Sequence, residues 1–250
     1  MPNILITNDD GIHAPGLRAL VDALAGLGTL SVVAPLTEQS GKAQSLTLKR
    51  PIYVEQLAER EWGVEGTPTD GMILALHRLL PERPDIVVSG INFGGNMGEN
   101  VYYSGTVGAA MEATINSIPA IAASVAWKKP DVDYSGAAQL TRKLVRLALA
   151  EGLPQGVLLN LNVPQTWTGE VRMTRQSRKI TRNNLEETRD AQGRAEYWLK
   201  EQFVRDDVAP ETDFAAIFNG AASLTPLVLD RTHEQSLNHL SHWLATLSKK

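Results

Sequence analysis

Cysteine is absent from this chain of 250 residues. Disulfides, thiolate nucleophiles and zinc sites of the Cys type are therefore excluded, and the lack of thiols is compatible with a reducing compartment. Long apolar runs are missing too. The opening stretch Ile4-Leu5-Ile6 meets Asp9 too soon for the core of a signal peptide, and no run approaches the roughly 18 residues that cross a bilayer. A cytoplasmic protein without a membrane partner is expected. Neither sign of charge dominates: the formal net charge is −4, which offers no electrostatic basis for a stable nucleic-acid complex. No GxxxxGK[ST] occurs, which argues against a P-loop NTPase.

What remains is the composition of a globular chain, 43% hydrophobic and 21% charged, able to bury a sizeable core. "NILIT", "LSVVAP", "DIVVSGIN", "PAIAASV" and "GVLLNLNVP" read as buried strands. Between them, apolar residues fall at helical spacing: Leu17, Leu20, Val21, Leu24 and Leu27; Met72, Ile73, Leu76, Leu79 and Leu80; Leu140, Leu144, Leu147 and Ala148. Continuous apolar strands that alternate with helices predict a mostly parallel sheet covered on both faces, a three-layer α/β/α Rossmann-like fold. Sites in such sheets lie beyond the carboxyl ends of the strands. No Gly/Ser linker or internal repeat divides the chain. It is expected to be one domain, with residues 1–165 as the core sheet and 166–250 as a C-terminal extension of β-hairpin and terminal helix.

The first strand runs into "TNDDGIHAPG". Adjacent carboxylates repel each other and lose solvation when partly buried. An Asx-turn or helix cap would use Asn8 or one aspartate. A divalent cation would use both Asp9 and Asp10, and hard oxygen donors favour Mg²⁺, Mn²⁺ or Ca²⁺. Further oxygen donors follow the second strand (Ser40, Ser45) and the third (Asn92, Asn96, Asn100). Ser104, Gly105 and Thr106 precede a helix rich in small residues, the arrangement of an anion site, although simple capping by Ser104 or Thr106 would look the same. A metal site beside an anion site points to a phosphate ester.

The ordered motifs "NDDGIHAPG", "VVAP…SG…SLTL", "GTPTD", "RPDIVVSGIN…GN.G…YSGTVGAAMEA" and "LNLNVP", with "TDFAAI" and "SLTPLVLD" farther on, resemble the SurE family of survival-protein nucleotidases. The likeness spans nearly the whole chain. It implies a divalent-metal-dependent phosphomonoesterase, with Mg or Mn as the cofactor, acting on nucleoside 5′- or 3′-monophosphates. By position it implies Asp9, Asp10, Ser40 and Asn92 as metal ligands. Asn96 and the Ser104-Gly105-Thr106 turn would hold the phosphate, and Asp9 and Asn96 would take part in catalysis. Gly95 stands where many members carry proline. The likeness also implies a homo-oligomer, dimer or tetramer, joined through the C-terminal region.

After Pro164 the pattern changes. Residues 172–207 hold nine Lys/Arg and seven Asp/Glu, and "VRMTRQ" and "EYWLKEQF" suggest a hairpin exposed on one face. A strand "ASLTPLVLD" precedes a last helix whose stripe Leu237, Leu240, Trp243, Leu244 and Leu247 suits a core or a subunit interface. His13 is expected to cap or pack the first helix, and His239 with His242 to form a surface pair. Two other readings compete with hydrolysis: a metal-dependent glycosyltransferase, and a nucleotide-binding module without turnover.

Overall fold

The computed structural model describes residues 1–126, 131–178, 181–203 and 209–248. Five parallel strands form its centre: β1 (Asn3–Thr7), β2 (Thr29–Pro35), β5 (Ile86–Phe93), β6 (Ala120–Ala126) and β7 (Val157–Pro164). Four more complete the sheet: β3 (Val54–Ala58), β4 (Glu61–Val64), β8 (Val171–Met173) and β11 (Ala222–Val228). Their order is β3-β4-β2-β1-β5-β6-β7-β11-β8. Only the β3–β4 and β7–β11 pairs of that sheet are antiparallel.

Helices α1 (Pro15–Leu24), α2 (Pro68–Leu74), α3 (Gly105–Ile115) and α4 (Ser135–Glu151) cover the faces. Because side chains alternate along a strand, Ile4 and Ile6 join α1 and α4 in one core, while Leu5 joins α2 and α3 in the other. The expected three layers are therefore present, and each of the five central strands feeds both cores.

The chain first winds outward from β1 through β2 and β4, then returns to the other side of β1 as β5. The carboxyl ends of β1 and β5 thus form the topological switch point, where sheets of this kind open a crevice. The NDDG segment leaves β1 at this point.

Several parts differ from the sequence-based expectation. The partner of "EYWLKEQF" is not "VRMTRQ". A separate two-stranded sheet joins β9 (Thr181–Arg189) to β10 (Ala195–Phe203), with Leu185 opposite Leu199. The VRM triplet is β8, which runs parallel to β11 inside the large sheet. Both β8 and β11 lie beyond residue 165, so part of the C-terminal region completes the core sheet. The hairpin is exposed on both faces: Leu185, Tyr197, Trp198 and Leu199 all face solvent. Lys179, Arg205, Asp206 and Asp207 of the charged stretch lie outside the described residues. The last helix is two short ones, α6 (Glu234–Leu240) and α7 (Trp243–Leu247), whose apolar stripe is exposed rather than in the core.

Candidate functional site

Asn8 alone makes the turn out of β1. Its side-chain amide donates to the Gly11 carbonyl at 2.9 Å and its oxygen accepts from the Gly11 N–H at 3.3 Å. Gly11 adopts a φ of 106°, which favours glycine. Neither aspartate caps α1, whose N-cap is Ala14 without a side-chain bond. His13 is exposed and does not cap it either. The turn reading thus belongs to Asn8, and the two carboxylates need another explanation.

Asp9 is only 3% exposed. Its carboxylate accepts the Thr106 hydroxyl hydrogen. Burial pushes its pKa above the ordinary value, while the Thr106 hydroxyl and the amides of Thr106, Asp9 and Gly105 pull it back. All these partners are neutral. Gly105 is required for the approach: a Cβ there would stand 2.9 Å from Asp9 Oδ2 and 2.8 Å from Asp9 Cβ. At the N-terminus of α3 the structure places the side chain of Asp9, a carboxylate held by the Thr106 hydroxyl and the Gly105 and Thr106 amides.

Asp10 turns the other way. Its Oδ2 accepts the Phe93 N–H at 2.9 Å, at the end of β5. Asn92, one residue earlier, donates its amide to the Gly94 carbonyl at 2.6 Å, which leaves its Oδ1 as an acceptor. The Asp9 carbonyl accepts the Gln39 N–H at 2.7 Å and so ties the loop after β2 to the same place. Ser40, next in that loop, is exposed and donates to Glu38 Oε1 at 2.7 Å. Ser45 is exposed as well, and its carbonyl accepts from Thr67 at 2.7 Å. The "GTPTD" motif is structural: Thr67 and Asp70 form a capping box on α2.

The donor set fits a hard divalent cation on chemical grounds. It comprises a buried carboxylate with neutral partners, a second carboxylate adjacent in sequence, an amide oxygen and a hydroxyl. Among the described residues no three His, Asp or Glu side chains cluster, so amide and hydroxyl oxygens have to complete any such set. His239 and His242 stand with ring centroids 6.2 Å apart on the exposed C-terminal segment, and His242 Nδ1 lies 2.8 Å from the His239 carbonyl.

The loop 94–104 carries the remaining candidates. Asn96 is held at every backbone group: its N–H donates to Asn162 Oδ1 at 2.8 Å, and its carbonyl accepts from Asn160 at 2.8 Å and Asn162 at 3.2 Å. Its side-chain amide donates to Ser124 at 3.0 Å. Ser104 caps α3 by accepting the Val107 N–H at 3.1 Å, so its own hydroxyl hydrogen remains a donor. The supports Asn160, Asn162 and Ser124 escaped the reading of single loops. A signal existed: two asparagines two apart in an apolar strand share one face and need buried partners. Asp213, at the start of helix α5 (Asp213–Phe218), is fully buried and accepts from Gly98 at 3.1 Å and Ser177 at 3.0 Å. It fastens this loop from the C-terminal region.

Thr106 therefore grips Asp9 rather than open space. Replacing it with valine keeps the shape and removes one bond to a charged group, worth about 1.5–3 kcal/mol. Turnover on a phosphomonoester should fall about ten- to a hundredfold. A loss of about 1 kcal/mol in stability with unchanged kinetics would reduce Thr106 to a helix-start residue.

Fold and site together define a doubly wound α/β protein with an acidic, oxygen-donor centre at its switch point. The profile of the Survival protein SurE family matches residues 4–183. A 5′-nucleotidase SurE of Pelobacter propionicus is 43% identical over 245 residues, covering 97% of this chain and 99% of its own length. One from Geobacter sulfurreducens is 45% identical over 246 residues, with 96% and 93% covered. The crystal structure of the SurE protein from Aquifex aeolicus superposes with a TM-score of 0.86 at 34% identity, covering 97% and 99% of the two chains. This chain belongs to the SurE family.

Proposed function

We propose that this protein is a divalent-metal-dependent phosphatase that converts nucleoside 5′-monophosphates, and also 3′-monophosphates, to nucleoside and phosphate. Relatives that match nearly end to end bear the name 5′-nucleotidase. The observation that carries the reading is the buried Asp9 carboxylate: it sits at a helix start next to Asp10, whose own carboxylate is tied to the end of β5, and its partners are neutral.

On this reading Asp9, Asp10, Ser40 and Asn92 hold one cation, Mg²⁺ or Mn²⁺, with the two carboxylates repelling less once it is shared. When bound, the cation supplies neutralisation of phosphoryl charge and acidification of water. The chain's own groups do the positioning. The Ser104 hydroxyl and the second amide hydrogen of Asn96 take phosphate oxygens, beside the start of α3 whose Gly105 and Thr106 amides hold Asp9. Asp9, oriented by Thr106, directs the attacking water in line with the leaving nucleoside oxygen.

The test is phosphate release from a panel of nucleoside 5′- and 3′-monophosphates with Mg²⁺ or Mn²⁺. Release from at least one series is expected. Sugar-transfer products, or saturable AMP binding without phosphate release, would replace this reading with the glycosyltransferase or the binding module.

We read residues 1–250 as a single α/β unit whose exposed C-terminal parts mediate assembly. A lone two-stranded hairpin is marginal in water, yet β9–β10 displays Tyr197, Trp198 and Leu199, and α6 and α7 display Leu237, Trp243 and Leu247. Apolar surface of this extent marks an interface. A dimer or tetramer is expected by light scattering at micromolar concentration; a monomer there would contradict it. No described helix is long and apolar enough to cross a membrane, and we place the enzyme in the cytoplasm.

A further inference from the structure

Strand β7 is apolar except for Asn160 and Asn162, and both are fully buried. A buried amide costs stability unless its polar atoms find partners, and Asn160 Oδ1 has none among the described residues. Packing alone therefore does not account for two asparagines in this strand. They belong to a polar zone at one end of the sheet. In register, Asn92 of β5 pairs with Ser124 of β6, Ser124 with Asn162, and Asn162 with Ser223 of β11. Residues in register share a face, and this row faces away from the core that holds Ile91, Ala123, Leu161 and Leu224. Farther down the strands the same face is apolar, with Val87, Ala120 and Leu158. Polarity is thus confined to the rim that carries the candidate site.

What these side chains hold is Asn96. The Asn162 amide meets both backbone groups of that residue: it accepts from the N–H at 2.8 Å and donates to the carbonyl at 3.2 Å. Asn160 donates to the same carbonyl at 2.8 Å. Peptide groups are planar, so fixing the group on each side of the Asn96 Cα fixes the direction of its Cα–Cβ bond. Ser124 then takes one hydrogen of the side-chain amide at 3.0 Å and sets how that amide is turned. The loop itself supplies no such constraint. Gly94 and Gly98 flank Asn96 with φ of 119° and 53°, in conformations that glycine adopts and at the residue type with most backbone freedom to lose.

We infer that Asn162 and Ser124 are positioning residues, which aim the second amide hydrogen of Asn96 at the phosphate of the substrate. The inference rests on the phosphatase reading above and deepens it. Asn162 sets where the Asn96 side chain starts, and Ser124 sets its final rotation. Both act on the reaction through Asn96 alone. The "LNLNVP" motif thereby gains a part in turnover as well as in the fold.

The test measures kcat/KM on the nucleoside monophosphate that wild type hydrolyses best, together with Tm, in Asn162→Ala, Ser124→Ala, Asn96→Ala and the double variant Asn96→Ala/Asn162→Ala. Misplacing a substrate-holding group by about 1 Å costs up to about a hundredfold, so kcat/KM should fall about ten- to a hundredfold in Asn162→Ala. Ser124→Ala leaves the backbone contacts intact and should show a smaller fall. The double variant separates positioning from stability. Once the Asn96 side chain is gone, Asn162→Ala should lower kcat/KM only about twofold further, while its effect on Tm persists. A lower Tm with unchanged kcat/KM in Asn162→Ala, or kinetic losses that multiply in full in the double variant, would overturn the inference. If Asn162→Ala does not fold, Ser124→Ala decides: an unchanged kcat/KM there overturns it. Hydrogen exchange of residues 94–98 is independent of turnover and should quicken in Asn162→Ala. If wild type released phosphate from no nucleoside monophosphate, the functional reading would fail, and the exchange rates would still decide whether Asn162 holds Asn96.

Discussion

Asp9→Asn should lower phosphate release about a hundredfold or more while raising the melting temperature of the metal-free chain. The two effects have one cause. The carboxylate is buried among neutral donors, and its pKa lies above the ordinary value because desolvation outweighs the hydrogen bonds. A carboxyl group raised in the folded state binds protons more tightly there than in the unfolded chain. Its contribution to stability is therefore full below the unfolded pKa and is lost as pH rises through the folded one. At neutral pH the ionised Asp9 opposes folding, and the amide removes that opposition; each kcal/mol relieved raises Tm by about 2–4 °C. For catalysis the sign reverses, because charge stabilisation of this type is worth about 10²–10³ in rate. Calorimetry and phosphate release on one preparation check both halves. Near-normal turnover at saturating metal would show that Asp9 only shapes the turn.

Removal of divalent metal should abolish phosphate release altogether, and Mg²⁺ or Mn²⁺ should restore it. The proposed donors Asp9, Asp10, Ser40 and Asn92 all offer oxygen, which suits these ions. A second readout is independent of turnover. A ligand present at about a hundred times its Kd stabilises the folded chain by about 2.7 kcal/mol, so Tm should rise by about 5–11 °C in saturating Mg²⁺ or Mn²⁺. In Asp9→Asn most of that rise should disappear. Full activity of a chelator-treated sample would end the metal hypothesis, and an unchanged Tm shift in the variant would remove Asp9 from the ligand set.

Much of the architecture was legible in the residues because its causes are local. Ile4-Leu5-Ile6 and Ile86-Val87-Val88 are continuously apolar, as strands buried on both faces must be, and Leu17, Leu20 and Leu24 repeat at helical spacing. A parallel sheet places the ends of such strands together, so the sequence alone brought Asp9, Asp10 and Asn92 to one rim. The short elements β3 and β4 escaped notice because Glu55, Gln56 and Glu61 interrupt any apolar pattern near this edge of the sheet.

Pairing across long stretches of chain was decided only by the tertiary structure. Nothing near "VRM" states that it joins β11 while β10 turns back on residues 181–189, since strand partners are chosen by the space that packing leaves. The same holds at the site. Thr106 and Asp9 are separated by 97 positions, and Asn96 and Asn162 by 66. A hydroxyl three residues into "YSGT" reads equally as a helix cap or an anion ligand. Only the approach of α3 to the end of β1, which Gly105 permits by lacking a Cβ, turns it toward a carboxylate. The residue types, and therefore the chemistry, reside in the sequence; which donor meets which acceptor depends on burial, because a polar group withdrawn from water must find its partner wherever the folded chain has placed one.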